Sequence, residues 1–352
     1  MLSRAAEAIY WMSRYIERAE NVARIIEVNL NLVLDLPASS AGDWRPLVTT
    51  SGDHARFDEL YDAATADNVI RFLTFDRRNP NSILSCLAAA RDNARGVREV
   101  IAREMWEQLN TFCLLVRQDS RGESVRESPH EFFSAVRMAG HLFAGITDAC
   151  MSQGEEWHFC RLGRFIERAD KTTRILDVKY FILLPSVADV GTTIDDMQWA
   201  ALLRSVSAFQ MYRQRHGRIT PERVVEFLLL DRLFPRAVLH CLAQAEQSLH
   251  AISGSSLETF SNPAEQRIGQ LRSNLTFARA ADLIAGGLHE YLDDLERRLN
   301  LVGDAVSETF FAPRPVSGAA DAPRSQTSDV LSGYQVAGGT RGDRRYAGHL
   351  GQ

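Results

Sequence analysis

One segment of this chain occurs twice. Arg14 to Val28 returns as Arg164 to Val178, 150 residues later, with 8 of 15 positions identical. Tyr15-Ile16-Glu17-Arg18-Ala19-Glu20 corresponds to Phe165-Ile166-Glu167-Arg168-Ala169-Asp170. A second match follows at a slightly longer offset: Phe72-Leu73, Asp76-Arg77, Pro80, Leu84 and Cys86-Leu87 against Phe227-Leu228, Asp231-Arg232, Pro235, Leu239 and Cys241-Leu242. A repeat of this kind constrains the chain to two similar halves. It also supplies a two-sequence alignment of what each half keeps.

The repeated units are helical by their pattern. Apolar residues recur at spacings of three and four, as in Ile9, Met12, Ile16, Ala19, Ala23, Ile26 and Leu30, and strand-like alternation is scarce. The expected fold is all-α, an internally duplicated bundle with one half over 1–150 and the other over 151–312, packed as one composite domain. Long helices are expected at roughly 3–36, 80–118, 129–152, 156–184, 193–215, 234–252, 262–278 and 280–309, with shorter ones near 44–50, 54–64, 67–74 and 221–229. Pro80 and Pro235 stand where proline can open a helix. From 313 to 352 the chain is rich in Pro, Gly, Ser and Arg and poor in apolar residues, which predicts a disordered tail. Its few apolar residues, among them Leu331, Tyr334 and Val336, are the places a partner would grip.

A helical wheel separates what the two copies share from what they do not. The apolar face changes from Tyr15, Ile16, Ala19, Val22, Ala23 and Ile26 to Phe165, Ile166, Ala169, Thr172, Thr173 and Leu176. The opposite arc, Arg14, Glu17, Arg18, Arg24, Ile25 and Val28, is identical in Arg164, Glu167, Arg168, Arg174, Ile175 and Val178. Isolated surface positions usually tolerate change within about 0.5 kcal/mol, so a charged arc kept in both copies is in contact with something. With the Asp76-Arg77 and Asp231-Arg232 pairs it forms the candidate interface or binding cluster. Two readings stay open: a buried Glu-Arg network joining the halves, or a cleft whose arginines bind carboxylates or phosphates.

A further basic group is not repeated. Arg91, Arg95 and Arg98 are placed by helical spacing on one face, with Glu104, Trp106 and Asn110 following, whereas the second half has Glu246, His250 and Ser253 at the aligned positions. This one-sided site is the second candidate. Its plainer reading is a set of exposed i,i+4 pairs such as Arg95 with Glu99 and Arg103 with Glu107.

The remaining features exclude more than they assign. A formal charge of −5 and a pI near 6.0 give no overall attraction to nucleic acid. No run of apolar residues is long enough for a membrane span, and the N-terminus lacks the apolar core of a signal peptide, so the expected location is the cytoplasm. Five cysteines at irregular spacings read as reduced, buried thiols. No phosphate loop, dinucleotide fingerprint or nucleophile elbow is present, so no cofactor is expected. Glu155 and His158 have the ExxH spacing of di-iron bundles without the second ExxH and the two further glutamates, so no metal is expected.

The doubled Ile-Glu-Arg-Ala motif (Ile16 to Ala19, Ile166 to Ala169), the Asp76-Arg77 and Pro80 block, and the Arg91 to Arg95 run leading to Trp106, Glu107 and Asn110 together resemble the bacterial alpha-E family. The resemblance covers roughly residues 1–311. It implies partners more than chemistry: circularly permuted ATP-grasp ligases, transglutaminase-like proteins and sometimes a proteasome-like peptidase accompany such proteins. No catalytic residues come with the family. The reading that follows is a component of an ATP-grasp-linked system of peptide synthesis or modification, binding an amino acid, a peptide or the ligase. An enzyme using Glu17 or Glu167 as general base in amide-bond chemistry and a non-catalytic helical scaffold are the alternatives.

Overall fold

Between Ser3 and Asp35 there is neither glycine nor proline, and the first helix, α1, runs the whole of that length. The computed structural model describes residues 1–35, 44–119, 122–181 and 193–312, and every regular element in them is helical. After α1 come α2 (Arg45–Ser51), α3 (His54–Leu60), α4 (Ala66–Thr74), α5 (Ile83–Arg95), α6 (Arg103–Gln118), α7 (Glu123–Glu127) and α8 (Pro129–Cys150). Then follow α9 (Glu155–Phe181), α10 (Thr193–Ser205), α11 (Phe209–His216), α12 (Pro221–Val225), α13 (Val238–Ser253), α14 (Pro263–Thr276), α15 (Ala280–Ala285) and α16 (Leu288–Val306). Two π-helical turns, Glu226–Leu230 and Ser307–Phe311, extend α12 and α16. Residues Met1 to Pro313 pack as one unit. The tail expected over 313–352 lies outside the described residues. Among those described, no helix is long and apolar enough to cross a membrane.

Three of the long helices expected from periodicity are broken, each for a local reason. The run from 80 to 118 stops after Arg95, where Gly96 is followed by the β-branched Val97, Val100 and Ile101, residues that lose backbone or χ1 freedom in a helix. The run from 193 to 215 breaks at Ser207, which adopts a left-handed φ of 53°, a conformation that ends a helix. The run from 280 to 309 breaks at Gly286-Gly287, the second at φ 98°. Pro80 and Pro235 do not open their helices either. They lie in turns nucleated by the preceding aspartates: Asp76 Oδ1 accepts from the Arg78 amide at 2.9 Å, and Asp231 Oδ1 accepts from Leu233 and Phe234 at 2.7 Å each. The helices begin three residues later, at Ile83 and Val238.

The two repeated segments lie at the centre. α1 packs against α5, α8 and α9, and α9 packs against α1, α13 and α16. Tyr10 meets Gly163, Glu17 meets Arg168, and Ile25 and Val28 share a groove with Ile175 and Val178, so α1 and α9 run side by side in the same direction. Their backbones come together at Gly163, where a Cβ would stand 2.4 Å from the Tyr10 carbonyl oxygen. A glycine within a helix costs about 1 kcal/mol relative to alanine; here its missing side chain lets two backbones touch. We expect Gly163→Ala to destabilise the protein by about 1–3 kcal/mol, read as a lower urea midpoint, because α1 must move away from α9.

Candidate functional site

With α1 and α9 parallel and in contact, their charged arcs face one another and pair crosswise. The Glu167 carboxylate, fully buried, accepts from Arg14 Nε at 2.8 Å, from Arg18 Nε at 2.6 Å and from Arg18 Nη2 at 2.9 Å. Glu17, also buried, accepts from Arg168 Nε at 2.9 Å and Nη2 at 2.8 Å. In each case a planar guanidinium from one copy of the motif grips, with two parallel N–H groups, the carboxylate of the other. Burial alone would raise the Glu17 carboxyl, yet Arg168 and Arg236 overcome it and hold it well below the usual carboxylate range. Burial acts likewise on Glu167 and is overcome by Arg18 and Arg14. Both carboxylates therefore stay ionised.

Around this crossed pair the two sides differ. Arg236, in the turn before α13, donates to Glu17 and Asn21 at 3.0 Å each and to Glu20 at 2.7 Å. The aligned residue before α5 is Asn81, which instead accepts from Arg18 Nη1. Arg24, 1% exposed, pairs with Glu20 and reaches the Ser207 hydroxyl, while Arg174 holds Asp170 at 3.1 Å and Glu296 at 2.9 Å. The ends of the network are charged unequally. Burial, then the guanidiniums of Arg236 and Arg137, lowers the Arg24 pKa; burial, with Asp170 and Asp177 nearby, raises Glu296 to about 7 despite Arg174. Cations crowd one end and carboxylates the other.

Arg14 and Arg164 show the difference most directly. Arg14 is part of the Glu167 network, but the corresponding place at Glu17 is taken by Arg236. Arg164 instead reaches the half-exposed Asp148 at 3.4 Å and 3.5 Å, and its buried Nε meets no hydrogen-bond partner among the described residues. It lines a small cleft between α1, α8 and α9 together with Ser13, Glu17, Glu20, His141 and Arg168. The enclosed space is about 30 Å³, room for one or two waters. His141 stands at its mouth, 44% exposed, 3.4 Å from Arg24 and 3.6 Å from Glu20. Burial, with Arg24 and Arg236 adding to it, lowers its pKa to about 4, so the imidazole is neutral at pH 7.

The other sequence candidates are sorted by the same geometry. Arg14, Glu17, Arg18, Glu167 and Arg168 meet in the core of the network, and Arg24 and Arg174 extend it. Asp76 and Asp231 stay apart from it as turn formers: Asp76 binds Tyr61 and Arg78 rather than Arg77, and Asp231 binds Arg215. Arg77 and Arg232 are exposed. The one-sided stripe is not a helix face, because α5 ends at Arg95. Arg91 donates to Asn110 at 2.6 Å and stacks with Arg98 on Trp106, while Arg95 pairs loosely with Asp92 at 3.6 Å and Glu104 faces solvent. Arg103 and Glu107 form the expected exposed pair at 2.7 Å. Glu155 accepts from the Met1 ammonium, and His158 packs on Trp157. Asp177, His289 and Asp293 lie within 4.8 Å of one another, with both imidazole nitrogens turned to carboxylates, at 2.7 Å and 3.7 Å. The thiols of Cys86 and Cys241 point at the Pro80 and Pro235 carbonyls, and burial pushes both up to about 12, out of the nucleophilic range. Sequence reading missed Arg236, Glu20 and His141.

The structure thus defines a helical bundle organised about two crossed Glu-Arg motifs. The chain belongs to the Alpha-E family: the family model, described as a predicted alpha-helical domain with a conserved ER motif, matches residues 1–311. It is also similar to uncharacterised proteins of Mycobacterium bovis and Mycobacterium tuberculosis, at 23% identity over 335 residues, covering 88% of this chain and 37% of each relative. The chain therefore spans little more than a third of the length of these curated relatives. No solved structure matches it.

Removing one carboxylate strands its arginines. Glu167→Gln, which keeps the shape, is expected to cost about 3–5 kcal/mol, measured by urea denaturation at pH 7. The pH dependence follows from the same pairs. A carboxyl held below its unfolded value of about 4.3 contributes stability above that value and loses it as the pH falls toward the folded one. We expect wild-type stability to fall steeply below about pH 5, and a Glu17→Gln/Glu167→Gln variant, if it folds, to show a shallower slope.

Proposed function

We propose that this protein is a binding component of an ATP-grasp-linked system of peptide synthesis or modification. On this reading the two motif copies form the framework and the protein holds a ligand or the ligase beside it. The observation that carries the reading is the contrast between saturated and uncommitted arginines. Glu17 and Glu167 are enclosed by guanidiniums and held ionised, whereas Arg164, identical in sequence to Arg14, is left at the rim of a cleft with a weak tether.

General-base catalysis by Glu17 or Glu167 has little support in this arrangement. An efficient base has a pKa near the working pH, and these carboxylates lie far below it with their lone pairs already engaged. The partner class comes from the family resemblance: ATP-grasp ligases first, with a transglutaminase-like protein as a further associate and an amino acid or peptide as ligand. The greater length of the mycobacterial relatives is consistent with a fold that works alongside other polypeptide. The two-half organisation, 1–150 and 151–312, belongs to the same reading, the halves being joined by the crossed pairs.

The test is co-purification of the full chain with an ATP-grasp ligase from the same organism, followed by ligase assays with and without this protein. A stable complex, or a change in ligase turnover, is the expected outcome. Absence of both overturns the reading.

A further inference from the structure

The cleft at Arg164 has a charge pattern that selects its ligand. Four guanidiniums, Arg24, Arg164, Arg168 and Arg236, surround three carboxylates, Glu17, Glu20 and Asp148, and Asp148 sits at the solvent edge. Glu17 and Glu20 line the space but are engaged by Arg168, Arg236 and Arg24. The Arg137 guanidinium nearby is cancelled by Glu27 at 2.6 Å. One positive charge is left over, and Arg164 is the cation whose contacts are weakest. Its Nε is buried and has no hydrogen-bond partner among the described residues, and its two outer nitrogens reach Asp148 only at 3.4 Å and 3.5 Å. A buried donor without a partner is destabilising, and a ligand acceptor would relieve that cost.

Size narrows the class. An enclosed space of about 30 Å³ takes a planar carboxylate head but not the body of an amino acid, so the remainder of a ligand must lie outside.

We propose that this cleft binds a carboxylate, such as the C-terminus of a peptide, with Arg164 as its fork-like partner in place of Asp148. Planar two-point recognition is what distinguishes a guanidinium from an ammonium as a carboxylate receptor. The neutral imidazole of His141 gives the mouth a hydrogen-bonding group without a charge of its own. The assignment names the ligand class of the site in the proposed function and rests on that reading.

The experiment is ligand-observed NMR titration of the full chain with N-acetyl-leucine, N-acetyl-leucinamide and inorganic phosphate, repeated on Arg164→Gln. Arg164 lies outside the crossed pairs, so the variant is expected to melt as wild type does. N-acetyl-leucine is expected to bind, the amide at least ten-fold more weakly, and Arg164→Gln to lose at least ten-fold in affinity for the acid. No binding of the acid, equal binding of the amide, phosphate binding as tight as the acid, or an Arg164→Gln variant that binds normally each overturns the proposal. Ligase association measured in parallel separates the two readings: a chain that binds the ligase but not N-acetyl-leucine overturns the carboxylate site alone.

Discussion

Two ionised carboxylates enclosed between two parallel helices, each gripped by arginines of the other helix, set the terms for the rest of this molecule. Charges buried without partners are prohibitively costly, and a buried ion pair often contributes little net stability against an apolar alternative. What the crossed pairs contribute is position. Arg18 reaches Glu167 and Arg168 reaches Glu17 across two helices that run in the same direction and in one register. That register brings the backbones together at Tyr10 and Gly163 and sets Ile25 and Val28 beside Ile175 and Val178. The turns before α5 and α13 then deliver Asn81 and Arg236 to the same place.

The two copies depart from regularity at one arginine. Arg14 and Arg164 are the same residue in the same motif, yet one is immobilised against Glu167 and the other is displaced because Arg236 supplies the extra cation at Glu17. Asn81 and Arg236 occupy matching places in the two turns, and only Arg236 adds a cation at Glu17.

The sequence made much of this legible, and what it hid was hidden for identifiable reasons. Helical class followed from the spacing of Ile9, Met12, Ile16 and Ala19, and the wheel separated Arg14, Glu17, Arg18 and Arg24 from the changing apolar face. Helix breaks at Gly96, Ser207 and Gly286-Gly287 were not legible, because apolar periodicity continues through each and the break depends on local backbone preference. The basic stripe failed with the first of them. Arg236 was passed over because it aligns with an asparagine, and comparison of the copies favours what is identical. His141 escaped because α8 was not matched to any segment in the second half, and a lone histidine on an amphipathic helix carries no signature. The buried Glu-Arg network is the reading the crossed pairs show, and the small space at Arg164 lies beside it.

The wide separation of the paired residues along the chain governs the order in which the protein can be completed. Arg18 and Glu167 are 149 positions apart, Glu17 and Arg168 151, and Glu17 and Arg236 219. During synthesis the α1 segment emerges before Glu167, Arg168 and Arg236 have been made, so the crossed partners of Arg18 and Glu17 are missing until then. Burial of that arc has to wait for α9, and its last hydrogen bonds wait for the turn ahead of α13. The crossed pairs can therefore close only once residue 168 has been made, and their last donor arrives only with residue 236.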